Sequence, residues 1–213
     1  MEERKLTERE SMELIATMIA KTKRHLTHGE GNMLLFWGYL CTIVALLHEL
    51  YSYLSYGMGM ELPFSGKLIW WLIPAVGIPY TLTIQRRNAG AQNVVTYTDK
   101  LSNLLWNYVM LLAVITIIIG ALFFISGLNV WYVMMLFAFF VIGMAVSVQG
   151  MIIKEKPMIY GGAFSVLSGG FICAGMIIGA SWLGMYAVPL FIISFIVMMI
   201  IPGHILNHKA EKA

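Results

Sequence analysis

Six apolar runs, each bounded by charge or glycine, limit what this chain can become: residues 33 to 56, 66 to 85, 103 to 125, 130 to 153, 158 to 181 and 183 to 206. A segment crossing a hydrocarbon layer about 30 Å thick needs roughly 20 apolar residues, and a single segment satisfies its own backbone there only as a helix. The predicted fold is therefore all-α, a polytopic bundle of six transmembrane helices. With 213 residues, 59% of them hydrophobic and 12% charged, the chain has no room for a separate soluble domain. The connections 126–129 and 181–184 are short enough to force antiparallel neighbours, so three hairpins are expected. The expected organisation is a cytoplasmic amphipathic helix and linker over 1–32, a six-helix transmembrane domain over 33–206 and a cytoplasmic tail over 207–213.

Lys and Arg resist translocation, so their distribution predicts direction. With the N-terminus inside, thirteen of the 14 fall on the cytoplasmic side and Lys67 alone falls outside. An odd number of crossings would spoil that asymmetry, which points to both termini in the cytoplasm. The modest net charge of +3 is accounted for by this pattern and gives no reason to expect nucleic acid as a partner. The tryptophans fall near predicted boundaries, Trp37 and Trp106 inside and Trp70, Trp71, Trp131 and Trp182 outside, as an aromatic belt places them.

The first 32 residues lack the apolar run and cleavage site of a secretory leader, so the first helix is expected to remain as an anchor. Thr7 and Glu10 form a capping-box pattern, and Met12, Ile15, Ile19, Thr22 and Leu26 recur at helical spacing. This predicts an amphipathic helix over residues 7–28. Its apolar stripe would lie on the inner leaflet, pack beneath the bundle or bind a cytoplasmic partner.

The outer half of the first run is unusually polar: His48, Glu49, Leu50, Tyr51, Ser52, Tyr53, Leu54, Ser55, Tyr56. Glu49 falls about seven residues, roughly 10 Å, below the outer end, where a charge costs several kcal/mol without water, a partner or a proton. Ser52, Tyr53 and Tyr56 share its helical face. One reading is an outward-open cavity in which Glu49 binds a cation or carries a proton, with His48 at its edge. The other is a structural carboxyl, protonated and hydrogen-bonded to a neighbouring helix or reaching towards Lys67.

Pro74, Gly77 and Pro79 predict a kink or local unwinding of the second helix. In the fifth run, small residues four apart (Gly161, Ser165 and Gly169; Gly170 and Ala174; Gly175 and Gly179) predict close helix packing, with a homo-oligomer as another use of that face. Cys41 and Cys173 sit in apolar surroundings without metal-ligand spacing and read as small core residues. Met58 and Met60 near His48 are soft donors, but 16 methionines spread through every run look like apolar filler, and no metal site is expected. The sequence has no HExxH, GxSxG or P-loop and no paired intramembrane aspartates, so neither an enzyme nor a cofactor is expected.

The opening LTERESMELIATMIAKTKRHLTHGEGNMLLFWGY resembles a group of small uncharacterised bacterial six-helix membrane proteins with an N-terminal amphipathic cytoplasmic helix. The resemblance implies a bacterial inner-membrane location and a regulatory context, and it carries no functional residues to transfer. The expected function is a non-enzymatic sensor, regulatory or binding protein in the bilayer. Its rival is a small transporter or channel for a cation or small solute using Glu49.

Overall fold

The computed structural model describes residues 31–88, 97–128, 131–180 and 185–212, which are helices joined by turns and short irregular connections. The predicted amphipathic helix over 7–28 lies outside the described residues. Among the described residues, six helices are long and apolar enough to span a membrane: α1 (Asn32–Gly57), α2 (Gly66–Arg87), α3 (Tyr97–Ile125), α4 (Val133–Ile153), α5 (Lys156–Ile177) and α6 (Ala187–Glu211).

Their irregularities have local causes. The second helix opens with a 3₁₀ stretch, Gly66–Trp71, before α geometry begins at Leu72. Pro74 therefore falls in the first α turn, where a missing N–H leaves no bond unmade, and the helix then continues through Pro79 to its end. Pro74, Gly77 and Pro79 all lie within this continuous helix, which is not unwound at any of them. Widened π turns occur elsewhere instead, at Tyr53–Gly57, Phe137–Ile142 and Ile196–Ile200. The last of these precedes Pro202, and Ile201 N–H bonds back to Ile196 O, which eases the clash a proline ring makes with the preceding turn.

The sequence expectation ran the fifth helix to residue 181. In the structure it stops at Ile177, and Gly179 follows in the left-handed region with φ of 71°. Gly179 thus ends the helix and is not a packing residue. Neither Gly170 nor Gly179 has a neighbouring atom where a Cβ would stand. Gly161, Gly162 and Gly169 do: Gly161 lies on the α6 backbone at Val197 and Met198, Gly162 on Gly143 and Ser147 of α4, and Gly169 on Phe139. Ser147 Oγ donates to Ile159 O at 3.0 Å and Ser165 Oγ to Phe139 O at 3.2 Å, which adds hydrogen bonds to the close approach.

The core is built by α1, α4, α5 and α6, with Phe139, Met158, Ile172 and Met198 among its fully buried side chains. A tight turn joins α4 to α5: Lys154 adopts φ of 61°, and Glu155 N–H bonds to Gly150 O at 2.8 Å. A left-handed non-glycine residue costs about 1–2 kcal/mol. Replacing Lys154 by glycine is accordingly expected to raise the midpoint of thermal unfolding by a few degrees, and a lowered midpoint would show that the lysine side chain outweighs the backbone cost. At the same pole, Lys209 of α6 holds both carboxylate oxygens of Glu155 at 2.7 and 2.9 Å. Asn207 accepts from Gly31 N–H at 2.9 Å and donates to Asn32 Oδ1 at 2.7 Å, tying the start of α1 to the end of α6.

Candidate functional site

The helices α2 and α3 flank this core, each packed on it along one side, and stand apart from each other. The α2 helix lies against α1 and α3 against α4, with no comparable contact between the two. They are also the least buried spans. The space between them is a cavity of about 640 Å³, inside the roughly 300–1,000 Å³ typical of small-molecule sites.

One face of each helix lines it. Trp70, Pro74, Ile78, Thr81 and Gln85 recur along α2 at intervals of three or four, and Asn103, Asn107, Met110, Ala113, Ile117 and Gly120 do so along α3. Trp37 and Cys41 of α1, Ala138 and Gln149 of α4, and Phe191, Phe195 and Met199 of α6 close the floor. Aromatic packing stiffens that floor. Trp70 meets Phe191 edge-on at 5.3 Å, and Phe191 stacks on Phe195 at 4.4 Å. Trp37 Nε1 donates to Thr81 Oγ1 at 3.2 Å, while Thr81 Oγ1 donates to Gly77 O at 2.8 Å. A Cβ at Gly77 would strike the Trp37 ring, so this glycine serves as the seat of an aromatic ring.

Thr116 apart, the polar side chains of the lining lie towards the pole where the chain enters α1 and leaves α6. Thr81, Gln85, Asn103, Asn107 and Gln149 gather there, and the lining contains no Asp, Glu, Lys or Arg. Gln149 is 8% exposed and donates from Nε2 to Ser102 Oγ at 3.0 Å, and its Oε1 is buried with no hydrogen-bond partner. Set against family models, curated proteins and solved structures, the chain matches none of them. The chemistry of the lining therefore has to carry the functional argument.

The polar face predicted on α1 lies elsewhere. His48 and Glu49 are half-buried, and the His48 ring sits 5.2 Å from that of Trp70. Ser52 is half-buried, while Tyr53 and Tyr56 are 62% and 85% exposed. The π turn that starts at Tyr53 carries Tyr56 out of α register with Glu49. None of these five residues lines the cavity. Among the described residues no group of three His, Cys, Asp or Glu stands close enough to hold a metal ion.

Sequence reasoning missed the amides. Each falls near the end of an apolar run, where a polar residue reads as a boundary marker. The available signal was Asn103 and Asn107, one helical turn apart and followed by an apolar stripe on the same face. Four tryptophans that read as belt residues, Trp37, Trp70, Trp71 and Trp106, line the cavity.

Proposed function

We propose that this protein is a non-enzymatic binding protein of the bacterial inner membrane, with both termini in the cytoplasm, that senses a membrane-soluble small molecule held between α2 and α3. The 640 Å³ cavity carries this reading. An apolar slot between two loosely attached helices offers a lipid-borne molecule burial without the cost of dragging charge into hydrocarbon. In this reading residues 33–206 form the sensing domain, and residues 7–28 meet a cytoplasmic partner. The Gly31–Asn207–Asn32 clasp supports that route, because it joins the start of α1 to α6, whose Phe191, Phe195 and Met199 line the cavity. The rival reading, transport through Glu49, draws no support from this cavity, whose lining does not include Glu49.

Photolabelling of the full chain in native membranes with an apolar diazirine probe tests the proposal. Labels are expected on the facing sides of α2 and α3, and Ala113→Phe, which fills the slot from a half-exposed position, is expected to cut labelling about tenfold. Labels scattered over the lipid-facing surface and indifferent to Ala113→Phe would remove the basis of the proposal. Glu49→Gln is expected to leave the labelling pattern unchanged. A proton or cation flux in liposomes that vanished in this variant would favour the transporter instead.

A further inference from the structure

We infer that the occupant of the cavity is an uncharged, hydroxyl-bearing, single-chain amphiphile, of the long-chain alcohol or monoacylglycerol kind, with its head at Gln149. The inference deepens the cavity reading and rests on it. From Trp70 to Gln85 the lining of α2 runs fifteen residues, or roughly 22 Å at 1.5 Å rise. A volume of about 640 Å³ along that length is enough for an extended hydrocarbon chain.

The head is specified by what surrounds it. With no ionised side chain in the lining, a carboxylate or phosphate drawn into the slot would find no counter-charge, and burying an unpaired ion is costly. Carboxamides suit a neutral group because each offers two N–H donors and an acceptor oxygen. Gln149 sharpens the choice. Its Nε2 is committed to Ser102, whereas Oε1, in a side chain more than nine-tenths buried, has no donor. An unsatisfied buried acceptor costs about 1–3 kcal/mol. Gln149 lines the slot, and the soft terminal torsion of glutamine lets the carboxamide turn to offer this oxygen to a ligand. A ligand hydroxyl then satisfies it, which an ester or ketone, having no proton to give, does not do. Asn107, exposed on α3 and lining the same end, supplies a second contact to the head.

Trp37, Trp70, Trp71 and Trp106 provide the readout, since a brominated chain quenches indole fluorescence on contact. The full chain in lipid nanodiscs is titrated with three probes sharing one dibrominated chain: the monoacylglycerol, the fatty acid methyl ester and the fatty acid anion. Saturable quenching by the monoacylglycerol is expected at a concentration about tenfold below either of the others. Gln149→Leu is expected to erase that preference while leaving the methyl ester curve in place. Asn107→Leu, which spares the Gln149–Ser102 pair, is expected to weaken the preference about threefold and serves if Gln149→Leu does not fold. Equal affinity for all three probes, tighter binding of the anion, or a preference that survives both substitutions would overturn the head-group assignment with the cavity reading intact. Quenching that does not saturate for any probe, or is the same in Ala113→Phe, would overturn the cavity reading as well.

Discussion

Gly162→Leu is expected to abolish recovery of monodisperse protein from detergent extracts. A Cβ at this position would collide with the carbonyl of Gly143 and the Ser147 side chain on α4, and backbone cannot rotate aside as a flexible side chain can. Overpacking a well-fitted core costs about 1–3 kcal/mol even where side chains can move. Here the α4–α5 contact would have to open along its length, removing the Ser147–Ile159 bond and the Ser165–Phe139 bond with it. Gly170→Ala is the matched control, because no atom lies within 4 Å of the added carbon. Size-exclusion profiles of the two variants, expressed alike, decide the matter. A normal profile for Gly162→Leu would mean that α4 and α5 are not packed at this glycine.

The second large effect is expected at the α4–α5 turn. Lys209→Met leaves Glu155, whose side chain is 12% exposed, without the ammonium that holds both of its oxygens. Stranding one member of a buried ion pair costs about 3–5 kcal/mol, and the partial exposure of Lys209 brings the expectation down to about 2 kcal/mol. The companion Glu155→Gln frees a lysine that is already half in solvent, so its expected loss is under half as large. Thermal unfolding of the two single variants and the double variant separates pairing from desolvation. If Glu155→Gln proves the more damaging, the carboxylate matters through something other than Lys209.

The helices were legible in the sequence because hydrocarbon imposes a length and forbids unpaired backbone, so apolar runs and spans coincide to within a few residues. The largest shift is at α3, which begins at Tyr97 where the apolar run begins at 103. The segment Tyr97–Ser102 mixes polar and apolar residues at helical spacing and continues the helix past the apolar boundary. The end of α5 was misread because Gly179 at a spacing of four from Gly175 resembles a packing stripe, and only its backbone angle identifies a terminator. The cavity was not legible at all. It exists because two helices that each pack on the core do not pack on each other, a relation between residues far apart in sequence. Trp70 illustrates the difficulty, since a boundary tryptophan and a tryptophan buried against Phe191 have the same sequence surroundings.

The slot between α2 and α3 has a practical corollary for anyone extracting the protein. An uncharged sugar detergent has one chain and a head rich in hydroxyls, the features that match this slot, and extraction presents it far above any natural competitor. Mass action then populates the site with solubiliser. On the proposed reading of the slot, stability across a detergent series follows head chemistry as well as micelle size, and a preparation made in maltoside is a complex before any assay begins.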